Sequence, residues 1–443
     1  MAYPLLPTLS DSTDAAALRP LPPSALALAV ASKVQHHAGL VVAVAGDEQQ
    51  AYRLEAELRF YLAGGGNSDA ASLPVVHLQD TETLPFDPFS PHQEILSERL
   101  AALHRLPDKP RGALIVTADA LLQRLPPVAW LQGRTFFLKA GQKLDPHTLR
   151  DRLIAAGYAS VSQVQSQGEF AQRGSLLDLF PMGSATAYRL DWFDQEIEAI
   201  RSFDPETQRS QDAVKEVRLL PAREFPTDRD GIETFRRNYR EYFPGDLTRS
   251  RIYAEVSKNL MPGGIEAYLP LFFPQRETAV LADYLPVNAL WLALDDLDAK
   301  LAADWQQIDE RRDRYDGNLE RPLMAAADVF LTPAQAAEQL ARRPLQRLAV
   351  GADDIAPIVG GPEVVKAMLA AEPATRFLFL AESAGRREAV VQWLKPLGLI
   401  PRQHESFAAF LADSARVGIA LAPVQESVAL PAMGIALIAE AQL

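Results

Sequence analysis

Short apolar runs alternate with segments of helical period along the first 120 residues, and that alternation restricts the architecture. Leu40–Ala45 reads LVVAVA and is closed by Gly46. A strand apolar at every position has no solvent face, so both of its sides must be covered. The segment after it, Asp47–Leu62, carries Tyr52, Leu54, Leu58 and Tyr61 at helical spacing. Val75–Leu78 and Ala113–Thr117 (ALIVT) read as further buried strands, Pro91–Leu106 as a helix between them, and Ser24–Val34 as an Ala-rich helix before the first strand. Strand and helix in turn predict a parallel sheet with helices on its faces.

The texture changes near Arg134. Asp145-Pro146 supplies an N-cap and a proline at the first helical position. Short alternating segments follow at Glu169–Arg173, Ser175–Phe180, Tyr188–Asp194 and Ile197–Phe203. They predict a small, mostly antiparallel module that ends near Leu220. Helical period returns in Thr227–Tyr242 and Leu297–Tyr315, and Thr332 to Gln335 forms a capping-box pattern. Ala279–Leu285 and Ala289–Leu294 read as strands, and residues 343–360 as a linker. The last stretch predicts a compact α/β unit: strands at Arg376–Ala381, Val417–Ala422 and Ile435–Ala439, and a helix at Gly385–Lys395 stopped by Pro396.

Composition excludes several functions. The 443 residues include no cysteine, so disulfides, thiolate metal sites and cysteine nucleophiles are ruled out. With 44 Lys+Arg against 57 Asp+Glu, the net charge of −13 argues against a chain that grips nucleic acid by itself. The N-terminus has no basic and apolar leader, and the longest apolar runs are too short to span a bilayer, so a cytoplasmic location is expected. No G-x-x-x-x-G-K-[ST] occurs, no G-x-G-x-x-G follows a strand, and no paired-histidine metal spacing exists. Neither cofactor nor metal is expected.

Tyr188–Asp194 alternates with period two. Tyr188, Leu190 and Trp192 share one face, which suits the module's core, and Arg189, Asp191 and Phe193 share the other. An outward Arg with a Phe is what a binding hot spot looks like, and it is also what an ordinary surface looks like. The pattern alone favours the ordinary surface.

Four segments carry a resemblance that shifts this weighting: Asp80–Leu100 (DTETLPFDPFSPHQEILSERL), Gly168–Asp204 (GEFAQRGSLLDLFPMGSATAYRLDWFDQEIEAIRSFD), Pro221–Asp228 (PAREFPTD) and Gly263–Phe273 (GGIEAYLPLFF). In these segments and their order the chain resembles the N-terminal part of the bacterial transcription-repair coupling factor (Mfd) family, which is itself similar to the excinuclease subunit UvrB. The resemblance implies an α/β fold: a degenerate P-loop-NTPase-like, UvrB-like parallel-sheet domain with an inserted, mostly antiparallel α+β module, followed by a separate small α/β domain. The boundaries it implies are 1–133 and 221–344 for the two halves of the first domain, 134–220 for the insertion and 345–443 for the last domain. It also implies that the chain is the N-terminal piece of a much longer protein, whose motor domains use ATP and which meets RNA polymerase and DNA.

The resemblance assigns UvrA as the partner of the insertion, through Arg173, Arg189 and Phe193, with Glu169 and Asp191 as candidates for orienting the arginines. UvrB carries a glycine-rich phosphate loop before the first helix. Here that stretch is Leu18–Ser24 (LRPLPPS), where three prolines remove three N–H donors and no lysine is present. The implied function is a non-catalytic recruitment module that brings excision repair to a stalled polymerase and restrains the motor. It binds DNA weakly or not at all. The alternatives are a UvrB-like nucleotide- and DNA-processing domain and an unrelated small-molecule enzyme. Asp80–Leu100, with Leu84, Phe86 and Phe89 among three prolines, is expected to be a buried loop.

Overall fold

The structure, a computed structural model, describes residues 23–64, 72–348 and 354–443. Of the stretch Leu18–Ser24, only its last two residues fall among them. Strands are numbered along the chain. Leu40–Ala45 (β1), Val75–His77 (β2) and Gly112–Thr117 (β3) join Leu290–Ala293 (β12) and Leu345–Arg347 (β13) in one sheet of order β13-β12-β1-β3-β2. All four pairings are parallel. The apolar runs account for this: every residue of β1 and β3 is buried.

The two sides of β1 serve different cores. Leu40, Val42 and Val44 pack with residues of the inserted segment and of 221–340. Val41, Ala43 and Ala45 pack with Pro23–His36 (α1), Glu48–Leu62 (α2) and, beyond them, Leu378, Phe407 and Leu437 of the C-terminal unit. Asp47 caps α2 by accepting from Gln50 N at 2.8 Å.

The inserted segment enters on Phe136–Lys139 (β4) and leaves on Glu216–Leu219 (β11), which pair antiparallel and bring its two ends together. Between them lies a six-stranded sheet. Its strands are Ala159–Ser160 (β5), Glu169–Arg173 (β6), Leu176–Phe180 (β7), Ala187–Phe193 (β8), Glu196–Phe203 (β9) and Ser210–Val214 (β10), in spatial order β10-β9-β8-β7-β6-β5. Only β5 runs parallel to its neighbour. The expected cap at Asp145 is present: its carboxylate accepts from Thr148 N at 2.8 Å.

The C-terminal unit builds its own six-stranded sheet from Ala356–Pro357 (β14), Arg376–Ala381 (β15), Arg402–His404 (β16), Val417–Leu421 (β17), Val428–Leu430 (β18) and Ile435–Ala439 (β19), in order β14-β18-β19-β15-β17-β16. Its far face packs on the helices Pro362–Ala371 and Ala384–Leu394.

Three expectations about elements change. Ala279–Leu285 is not a strand: Leu281–Tyr284 form a 3-10 turn, with Asp283 accepting from Val280 N at 2.9 Å. The supposed linker contains β13, which completes the first sheet. The loop Thr81–Ser90 is only partly buried: Phe86 is inside, whereas Leu84 is half exposed and Phe89 is 70% exposed.

Candidate functional site

The six-stranded sheet of the insertion has two apolar faces. The inner face sets Phe170, Leu177, Leu179, Leu190, Trp192, Ile197 and Ile200 into the main core. Trp192 satisfies its indole there by donating to Leu144 O at 2.7 Å. The outer face covers only a small cluster of Val164, Ala171, Phe180, Ala187 and Phe203. Beside that cluster lie the three residues assigned to UvrA.

Phe193 stands at the end of β8, 74% exposed. Its strand stops there because Asp194 turns left-handed, at φ 57°, to start the hairpin into β9. Arg173 ends β6, is exposed, and donates from Nη2 to Ser162 O at 2.6 Å. The next residue, Gly174, has φ 64°, which suits the tight link into β7.

Arg189 is not a free side chain. It makes a two-pronged pair with Asp178 of β7, Nε to Oδ1 at 2.6 Å and Nη2 to Oδ2 at 2.9 Å. Its Nη1 donates to Gln208 O at 3.3 Å and Ser210 Oγ at 3.2 Å. Its guanidinium also lies 5.1 Å from the ring centre of Phe203. The hydrogen bonds to Asp178 raise its pKa above the ordinary guanidinium value.

The structure therefore places all three assigned residues on one face, with Arg173 and Arg189 on strands separated by β7. It does not give Glu169 and Asp191 the orienting role. Glu169 accepts from Gln165 N and Ser166 N, at 2.8 and 3.0 Å, and Asp191 accepts from Ser175 Oγ at 3.4 Å. The carboxylate that holds an arginine is Asp178. It lies opposite Arg189 across β7 and β8, and the sequence shows no periodicity that would select it.

A second concave region lies at the C-terminal ends of the parallel strands, where α/β sheets usually hold ligands. It is a cavity of about 320 Å³ whose walls include Gly46, Phe86, Phe89 and Phe330. The carboxylates of Glu48, Asp80, Asp119 and Asp304 line it together with Arg99 and Lys300. Arg99 is wholly buried and spent: it donates to Gln79 O at 2.5 Å and Gln123 Oε1 at 2.8 Å, and faces Glu224 at 3.4 Å. Burial, and then the charge of Asp80, push the Asp119 carboxyl up to about 7. Burial alone pulls His77 down, but its bonds to Glu48 and Glu55 outweigh that and hold it at about 9.

The N-terminal end of α1 is closed as well. Ser24 is buried, with its hydroxyl 3.5 Å from Glu57 Oε1, and it accepts from Glu426 N at 3.4 Å. Among the described residues, no group of three His, Asp or Glu side chains is placed to hold a metal, and no helix is long and apolar enough to cross a membrane.

Comparison with known proteins places this architecture. Residues 136–225 match the family model of the UvrB interaction domain, and residues 370–443 match that of the D3 domain of MFD. The chain thus carries a UvrB interaction domain inserted beside a parallel α/β sheet and followed by a second α/β unit. It is 38% identical over 405 residues to the transcription-repair-coupling factor of Haemophilus influenzae, covering 87% of this chain and 34% of that protein. The protein of the same name from Escherichia coli K12 is 38% identical over 402 residues, 86% of this chain and 34% of the relative. That of Myxococcus xanthus is 35% identical over 279 residues, 61% and 23%. Over this matched length the chain is similar to the transcription-repair-coupling factors. It spans about a third of the length of these first two relatives.

Proposed function

We propose that this chain is a non-catalytic recruitment module that binds UvrA through the outer face of the inserted sheet, using Arg173, Arg189 and Phe193. The observation that carries this reading is Phe193, a large ring held in water at a strand end beside two arginines on the same face. An exposed aromatic flanked by guanidinium groups is the composition that binding hot spots favour. The similarity supports the setting, since coupling of transcription to repair is what the relatives' name describes. In a longer protein of this family, the module would bring excision repair to a stalled RNA polymerase. Its UvrA face would be masked at rest within that longer protein, whose own C-terminal domains it would meet and whose motor domains use ATP and DNA.

We further propose that the first sheet is a degenerate P-loop-type unit. The order β2-β3-β1-β12-β13, with a helix leading into β1, supports that descent. Two features argue against retained nucleotide binding. The turn from β1 into α2, where a phosphate loop would sit, has no lysine and is capped by the Asp47 carboxylate, which accepts from Gln50 N at 2.8 Å. The crevice at the strand ends carries more carboxylates than cations, which repels a polyphosphate. In this layout 1–133 and 221–344 are halves of one unit, 134–220 is the insertion and 345–443 the last unit. The pairing of β13 with β12 argues for setting that last boundary just after Arg347.

Calorimetric titration with UvrA tests the assignment. Arg173→Ala, Arg189→Ala and Phe193→Ala are each expected to weaken binding by about 1–3 kcal/mol, as moderate hot spots do. Wild-type affinity in all three overturns it. Tight ATP binding by the chain would instead favour the UvrB-like nucleotide-processing reading.

A further inference from the structure

We infer that Arg201 of β9 is a further partner-contacting residue of this face, the free cation that meets an acidic patch on the bound protein together with Arg173. The inference rests on the recruitment reading and adds to it a residue and a charge requirement on the partner.

The strand register makes the case. Asp178, Arg189 and Arg201 stand directly opposite one another on β7, β8 and β9. Two like charges facing across a pair of strands repel. The repulsion is tolerable because Asp178, on the other side of Arg189, neutralises the middle member of the row. Arg189 is then committed: Nε and both terminal nitrogens already have partners within the sheet. Asp178 cancels most of its charge, so Arg189 can offer a partner its remaining Nη2 N–H but little net charge. Arg201 is exposed and, among the described residues, forms no ion pair. The row therefore presents one uncompensated cation, and it is not the one in the centre.

The adjoining row adds a second. It runs Arg173, Leu176, Asp191 and Ala199 across β6 to β9. Arg173 is exposed, and its recorded bond is to a carbonyl, which leaves its charge uncancelled. The face thus offers Arg173 near one edge, Arg201 toward the other, and the Phe193 ring at the end of the strand next to Arg201. Guanidinium groups in that setting fit carboxylates of a protein, which they hold in two-pronged geometry. A phosphate backbone is the poorer match, because residues 134–220 hold 11 Lys+Arg against 12 Asp+Glu and supply no net positive field.

The test is a titration of UvrA into the chain and into Arg201→Glu, Arg201→Lys and Phe193→Ala, at low and at high salt, with thermal midpoints confirming that each variant is folded. Arg201→Glu is expected to weaken binding about tenfold or more, most strongly at low salt, because reversing a rim charge acts through long-range attraction. Arg201→Lys should lose much less. If Phe193→Ala loses binding while Arg201→Glu binds as the wild type does, the inference fails and the recruitment reading stands. If the unmodified chain does not bind UvrA, the recruitment reading fails and takes this inference with it. If Arg201→Glu leaves UvrA binding intact but removes binding to a duplex DNA probe, the face recognises nucleic acid and the inference fails.

Discussion

Phe193 and Asp178 lie on one face of one sheet and answer to opposite constraints. Phe193 gives up almost no contact when truncated, so Phe193→Ala should leave stability within about 0.5 kcal/mol of wild type, as surface changes do. A chemical denaturation curve checks this, and a larger loss would mean the ring packs somewhere within the chain. Asp178 is buried, and its carboxylate is the counter-charge of Arg189. Asp178→Ala leaves a guanidinium half-buried over Phe203 and two cations in a row, so it is expected to cost about 2–4 kcal/mol, as removing one partner of a buried pair does. Of the pair, only Arg189 was legible in the sequence. Alternation along β8 sorts Arg189 and Phe193 from Leu190 and Trp192, because strand side chains repeat every two residues. Asp178 is found only through register. The link Pro181–Thr186 between β7 and β8 is six residues long, and a loop of that length does not fix which residues face each other.

At the level of elements, the sequence is readable wherever a local rule sets the geometry. Asp145 before Pro146, and Thr332 with Gln335, cap their helices as their patterns require. Gly174 is the corresponding device in a hairpin, with a left-handed φ and no atom near the position a Cβ would take. Substitution there meets only backbone strain. Gly174→Ala should therefore destabilise by roughly 1 kcal/mol, while Gly174→Asn, a residue that tolerates this conformation, should cost less; thermal melts of both variants decide it. Reading failed where an apolar run was too short to show its period. Ala279–Leu285 is as apolar as a strand, yet Pro286 follows it and Asp283 folds back on Val280, so it closes as a 3-10 turn. Strands of three residues, such as β13, β16 and β18, hold too few positions for alternation to be counted.

Across the whole molecule, the first sheet and the C-terminal unit are joined through one apolar core, and the acid Glu57 is buried within their contact. Glu57 of α2 has no exposed surface, and its neighbours include the Ser24 hydroxyl, the unpaired Tyr61 hydroxyl and Glu426 of the C-terminal unit. Burial raises its carboxyl to about 8; Arg53 opposes that and Glu426 adds to it. Between pH 4.5 and about 8 the folded chain keeps this proton and the unfolded chain does not, so unfolding releases it. Stability from this group therefore falls as pH rises through that window and levels off above it. His77 works the same way over a higher range. Its folded value of about 9 lies above the ordinary 6.5, so its contribution is complete below 6.5 and fades as pH rises through 9. Comparing pH 5 with pH 8 in the wild type and in Glu57→Gln cancels His77 and isolates the buried acid. The wild type should lose more stability over that interval than Glu57→Gln does, by about 1–4 kcal/mol from a shift of this size. The amide should also raise the thermal midpoint at pH 8. Amide exchange should locate the alkaline loosening in α1, α2 and Phe407–Ala412, where Phe407 packs on Phe60 and Tyr61 across the contact. Equal pH slopes in the two proteins would mean that Glu57 ionises without cost, and that the joint between the two units does not respond to its charge.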